Sequence, residues 1–133
     1  MGKEEARAKL RLAKKQLERV QIACWDPKDA EEAVTWAFYA YENAVIAVVE
    51  KQGMQWQKTH PSKVNLASQL HAQGILSIDV GTKIELFNEL RKDVQYGEPG
   101  PELESVDLDD LAIELENFIG EVENVITSND EDM

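Results

Sequence analysis

One segment of this sequence is so apolar that it limits the folds open to the whole chain. Between Trp36 and Val49 the run is interrupted only by Glu42 and Asn43, and it lies within a helix predicted from about Pro27 to Gln52. The run is shorter than the roughly 20 residues that span a bilayer, so it predicts a buried helix and not a membrane anchor. A helix that is apolar nearly all round is buried on most sides. Because one small core hardly covers every face, we expect a homodimer that shares part of this helix.

Apolar residues elsewhere recur at helical spacing, and no segment alternates in the manner of a strand. Asp26 and Pro27 predict the cap and first turn of the central helix. At 133 residues the chain has room for one domain. We therefore predict an all-α antiparallel bundle of about five helices over residues 1–128, followed by a frayed acidic tail over residues 129–133. The first of the other four helices is predicted from Lys3 to about Ala23, and the next follows a loop over Met54 to Pro61 and ends near Gly74. The last two follow a link through Asp79 and Gly81, ending before Gly97, and a cap at Asp107.

Charged residues are unevenly distributed along the chain. The net charge of −12 argues against indiscriminate binding to nucleic acid, because that affinity comes mainly from Lys and Arg neutralising phosphates. Seven basic and three acidic residues lie between Lys3 and Arg19, whereas acidic residues and no basic ones follow from Glu98 onward. Either the basic first helix lies beside the acidic last helix, or both are solvated faces, or the first helix is a docking surface for RNA or an acidic partner.

The N-terminal residues and the cysteine content indicate a compartment. The first five residues lack the apolar core of a signal peptide. Cys24 is the single cysteine and cannot form an intrachain disulfide. We therefore expect a cytoplasmic protein that does not associate with membranes.

Conventional catalytic motifs are absent from the sequence. His60 and His71 are not spaced to share a metal on one helix, and there is no Glu-x-x-His pair or glycine-rich phosphate loop. We therefore expect neither a metal nor a cofactor. Glu42 and Asn43 stand out instead, because a buried carboxylate without a partner is strongly unfavourable. We expect Arg91 to supply the cation for Glu42, either in a structural ion pair or as part of a polar groove.

Several short motifs occur in an order found in one protein superfamily. They are AFYAYENA at 37–44, EKQG at 50–53, Thr-His-Pro at 59–61 and LRKDVQYG at 90–97. In this order, and on helices of suitable length, they resemble the HEPN superfamily over roughly residues 30–98.

This resemblance implies a small helical bundle that dimerises, often within prokaryotic toxin–antitoxin, antiviral or nucleotidyltransferase-associated systems. Many members are metal-independent ribonucleases with an arginine and a nearby histidine, which serve to stabilise charge and to transfer protons. Carried onto this chain, the arginine is Arg91, but Tyr96 and Gly97 stand where the histidine is expected. Tyrosine, with a pKa near 10, is a poor base at neutral pH, although it can donate a proton or stack on a base. His60 is expected to fix its loop.

Three functions remain open at this point. The first is a non-catalytic HEPN-type dimer that binds a partner protein, such as a nucleotidyltransferase or a toxin, or a nucleotide-containing ligand. Its binding groove would contain Glu42, Asn43, His60, Arg91 and Tyr96. The second is a metal-independent endoribonuclease that uses Arg91 and Tyr96 with help from Asp93 or Glu42. The third is a purely structural helical interaction protein.

Overall fold

The computed structural model describes residues 2–25, 27–97 and 100–128, and within these ranges it contains helices and no strand. The predicted all-α bundle is therefore confirmed. The acidic tail predicted over residues 129–133 lies outside the described residues. Relative to the five predicted helices, the structure adds one of four residues, which begins at Pro101 because proline suits a first helical position. The six are α1 (Gly2–Ala23), α2 (Ala30–Lys51), α3 (His60–Ala72), α4 (Gly81–Gln95), α5 (Pro101–Glu104) and α6 (Leu108–Ser128).

The start of α2 differs from its prediction. Asp29 caps this helix, because the Asp29 carboxylate accepts a hydrogen bond from the backbone N–H of Glu32 at 3.1 Å. Asp26, the predicted cap, lies outside the described residues. Pro27 consequently precedes the helix. Both aspartates suit a cap, and the later one leaves Glu31 and Glu32 in the first turn, where the helix dipole favours negative charge.

Other helix ends follow their sequence signals. Thr59 caps α3 by accepting a hydrogen bond from the backbone N–H of Ser62, and Asp107 does the same for Asp110 at the start of α6. Beyond the C-terminal end of α2, Gly53 has a φ of 71°, a left-handed conformation that glycine adopts without steric cost.

The second helix lies at the centre of the bundle. Thirteen of its 22 residues are buried, and α2 packs against each of the other five helices. The ring of Tyr41 on α2 lies between the rings of Phe87 on α4 and Phe118 on α6, with centroid distances of 5.9 and 5.4 Å. A single chain therefore covers this helix. The reason for expecting a homodimer does not hold, and the dimer itself stays a prediction.

The basic first helix and the acidic last helix are neighbours. Lys14 forms an ion pair with Glu123, and Gln21 donates a hydrogen bond to Glu116 at 3.3 Å. One flank of α1 is thus complementary to α6, because a basic and a polar side chain of α1 face acidic side chains of α6. Within the described part of the chain, no helix combines the length and the apolar character that crossing a membrane requires.

Candidate functional site

A buried carboxylate on α2 holds two basic side chains of α3. Glu42 is only 3% exposed. Its Oε2 lies 2.8 Å from Nδ1 of His60, and its Oε1 accepts a hydrogen bond from Nζ of Lys63 at 3.2 Å. Thr59 caps α3, which begins at His60, and Lys63 lies three residues further along the same face of the helix. Each oxygen of the buried carboxylate therefore has a partner.

The predicted ion pair between Glu42 and Arg91 is wrong. Arg91 instead donates from Nη2 to Oδ1 of Asn88 at 2.8 Å and from Nη1 to Gln95 at 3.5 Å. Both acceptors are neutral side chains of its own helix. The cations at Glu42 come from α3, which lies closer to that carboxylate than the guanidinium does.

Arg91 nevertheless belongs to the same group of side chains, through Phe38. The Phe38 ring centroid lies 4.8 Å from Cζ of Arg91 and 5.1 Å from the ring centroid of His60. A guanidinium over an aromatic face is attracted by the ring quadrupole. Residues of α2, α3 and α4 therefore meet around one ring, and we call Phe38, Glu42, His60, Lys63 and Arg91 the Phe38 cluster.

Next to this cluster, an open groove of about 370 Å³ runs between α3 and α4. We call it the α3–α4 groove. Its apolar wall includes Val64 and Ile84, and its polar groups come from both helices. The polar residues along the groove are His60, Asn65, Glu85, Asn88, Glu89 and Lys92.

Two of the groove side chains, Asn88 and His60, are held in place by Arg91 and Glu42 of the Phe38 cluster. Asn88 is 8% exposed, and its Oδ1 must face Arg91 because a guanidinium only donates hydrogen bonds. Its Nδ2 has no hydrogen-bond partner within the described ranges. His60 is arranged similarly, since Nδ1 faces Glu42 and Nε2 has no described partner. The groove thus presents one oriented amide N–H group and one oriented imidazole nitrogen.

The geometry around His60 also permits proton transfer. When Nδ1–H donates to the carboxylate of Glu42, Nε2 of the neutral ring is an acceptor, and it becomes a donor when the ring is protonated. The guanidinium of Arg91, a permanent cation, lies on the same Phe38 ring. Its Nε is buried and has no hydrogen-bond partner among the residues that the structure describes.

The remaining predicted site residues lie elsewhere. Asn43 donates a hydrogen bond to Gln16 of α1 at 3.0 Å, so it faces away from the groove. Tyr96 is 73% exposed and follows the last residue of α4, and Asp93 is half-buried on that helix. Since a helix turns by about 100° per residue, positions 91 and 96 point about 140° apart. The structure therefore groups Glu42, His60 and Arg91 but not Asn43 or Tyr96.

Sequence reasoning missed Lys63 and Asn88. Each lies three residues from a predicted residue on the same helix, Lys63 from His60 and Asn88 from Arg91. That spacing places both members of each pair on one face and was an available signal. Among the described residues there is no group of three His, Cys, Asp or Glu side chains that could hold a metal ion.

No protein-family model, curated protein or solved structure matches this chain. The resemblance to the HEPN superfamily therefore stays a prediction.

Proposed function

We propose that this chain is a non-catalytic helical binding module of the HEPN type, and that the α3–α4 groove takes a nucleotide-containing ligand. The observation that carries this proposal is the pair of anchored side chains. Glu42 fixes His60 and Arg91 fixes Asn88, and each anchored side chain keeps a nitrogen for a ligand. Groups held in place before binding lose little conformational entropy when a ligand arrives.

The chemistry of the groove suits a nucleobase. Amide and imidazole groups hydrogen-bond to base edges, and the partly exposed aliphatic side chain of Val64 contacts a ring face. The groove volume of about 370 Å³ falls in the range of small-ligand sites, which is roughly 300–1,000 Å³.

The charges along the groove indicate which part of the ligand enters. The ammonium of Lys92 is outnumbered by the carboxylates of Glu85 and Glu89, and Lys92 lies 3.8 Å from Glu89. A phosphate dianion inside the groove would be repelled by these carboxylates. The base therefore enters the groove, while the phosphates stay in water at its mouth.

Calorimetric titration with AMP tests this function, with Asn88→Leu as the site variant. We expect binding by the natural chain and roughly three- to tenfold weaker binding by the variant, the loss expected for one hydrogen bond. Lys83→Ala is the matched control on α4, because Lys83 pairs with Glu114 and does not line the groove. Absence of AMP binding at millimolar concentration, or equal binding by Asn88→Leu, would refute the proposal.

A second function, metal-independent endoribonuclease activity, is favoured by one observation. His60 and Arg91 both contact Phe38, so α3 supplies a histidine near the arginine although α4 lacks one. In this function Nε2 of His60 accepts the proton of the ribose 2′-hydroxyl while the 2′-oxygen bonds to phosphorus. The bond from phosphorus to the 5′-oxygen breaks, that oxygen takes a proton from water, and Arg91 stabilises the charge that develops on the phosphate.

Incubation with structured RNA in EDTA separates the two functions. Cleavage that is lost in both His60→Ala and Arg91→Ala, and retained in Tyr96→Phe, would establish the nuclease. Intact RNA, together with AMP binding, would leave the binding module as the function.

A further inference from the structure

The outward face of α1 exposes apolar side chains that neither the groove nor the core uses. Ile22 is 73% exposed, Trp25 is 77% exposed, and Leu12 is also exposed. Two exposed basic residues, Arg11 and Lys15, lie beside them, and neither has a described hydrogen bond or ion pair. We call these five residues the outer α1 face.

Four of these residues form one stripe along the helix. At about 100° per residue, positions 11, 12, 15 and 22 fall within an arc of about 100°, on the side opposite the buried residues of α1. Trp25 lies one turn beyond Ile22, and both residues line a surface cleft of about 480 Å³. With 22 residues, α1 is about 33 Å long, which is long enough to seat a helix along its length.

On the flank of α1 that packs on α6, α6 is an example of the kind of helix that binds to basic side chains of α1. Through Lys14 and Gln21, α1 pairs with Glu123 and Glu116 of α6, whose seven buried residues are all apolar. An acidic amphipathic helix therefore covers one flank of α1. The outer α1 face carries the same combination of basic and apolar side chains.

Charge favours an acidic protein partner over RNA. With seven basic and three acidic residues, α1 has a net charge of +4, so the remainder of the chain, with 7 of the 14 basic and 23 of the 26 acidic residues, carries −16. RNA affinity depends on many phosphate contacts, and the outer α1 face offers two basic residues, Arg11 and Lys15, to make them. Exposed Leu12, Ile22 and Trp25 instead require apolar side chains opposite them, and aromatic anchors commonly dominate protein interfaces.

We propose that the outer α1 face binds an acidic amphipathic helix of a partner protein. The apolar stripe of the partner packs on Ile22 and Trp25, and its carboxylates pair with Arg11 and Lys15. This site is separate from the α3–α4 groove and does not depend on the function proposed for it.

A suitable probe is a blocked synthetic peptide with the sequence of residues 107–128, which has seven acidic residues, no basic ones and a strong apolar stripe. It is titrated into the intact chain by calorimetry. We expect binding that weakens at least tenfold in Arg11→Glu/Lys15→Glu and at least tenfold in Trp25→Ser. Lys58 is an exposed lysine in the loop before α3. Lys58→Glu reverses one charge away from the outer α1 face, and it should bind normally.

Several outcomes would overturn the proposal. They are equal binding of a scrambled peptide of the same composition, binding insensitive to the outer-face variants, and preferential binding of a 20-nucleotide RNA that the same variants abolish. Self-association in sedimentation that disappears in Trp25→Ser would assign the face to a second copy instead. All substituted residues are exposed, and circular dichroism checks that each variant is folded.

Discussion

Replacing Glu42 by leucine tests, through its effect on stability, whether the buried carboxylate pairs with His60 and Lys63. The carboxylate is buried and pairs with both His60 and Lys63. Without it, Lys63, whose side chain is 13% exposed, becomes a largely buried cation with no counter-ion. His60 is less affected, because its side chain is 40% exposed and water can solvate it.

The size of the loss follows from this difference in exposure. Removing one partner of a fully buried pair costs about 3–5 kcal/mol, so we expect about 2–4 kcal/mol for Glu42→Leu, because water reaches both basic side chains in part. For a chain of 133 residues, 1 kcal/mol corresponds to roughly 4 °C in Tm. The variant should therefore melt roughly 8–16 °C below the natural chain.

The double variant Glu42→Leu/Lys63→Met separates a buried charge from lost packing. Apolar replacement of both partners is often neutral, so the double variant should recover all but about 1 kcal/mol of stability in urea unfolding followed by circular dichroism. Adding Arg91→Met to Glu42→Leu should bring no such recovery. If Arg91→Met restored stability and Lys63→Met did not, the assignment of the ion pair would be refuted.

Three further predictions concern single residues. Burial raises the pKa of Tyr41 above its ordinary value near 10, so the folded state keeps the neutral phenol. The stability of the folded state is unaffected by this group below pH 10, and above it the free energy of unfolding falls by about 1.4 kcal/mol per pH unit as the unfolded phenol ionises. In urea titrations at alkaline pH, Tyr41→Phe should therefore lose less stability per pH unit than the natural chain. Burial also raises the pKa of the Cys24 thiol, so iodoacetamide at pH 8 should alkylate it at least about tenfold more slowly than in urea, as mass spectrometry would measure. Asp29→Ala should lower the free energy of unfolding by about 1 kcal/mol in thermal unfolding, because the α2 cap is lost, whereas Asp29→Asn should retain most of that stability because asparagine also caps helices.

Local signals in the sequence predicted most of the fold. Apolar spacing located the long helices, and Asp107 and Gly53 marked ends that the structure confirms. The loop predicted over Met54 to Pro61 ends earlier than expected, because Thr59 caps α3 and the helix begins at His60. The start of α2 was missed because Asp26 and Asp29 both satisfy the requirements of a cap. The choice depends on how the chain leaves α1, where the backbone N–H of Asp29 donates to the carbonyl of Ala23.

The candidate site was predicted only in part. The burial of Glu42 followed from its apolar neighbours, but periodicity does not say which helix lies opposite a given residue. Arg91 was favoured for its guanidinium, whereas tertiary packing placed Lys63 and His60 against the carboxylate. The dimer was predicted from a helix too apolar for one core. That premise does not hold, because five helices of the same chain pack against α2, and the dimer itself stays a prediction.

The central position of α2 also determines how slowly its backbone amides exchange hydrogen with solvent. Every neighbour of this helix must move before water reaches the amides near Val45, so small local fluctuations do not suffice. Deuterium should therefore enter the middle of α2 only through global unfolding, while the ends of α1 and α6 exchange earlier. The slowest-exchanging amides of this helix then give the global free energy of unfolding without any denaturant.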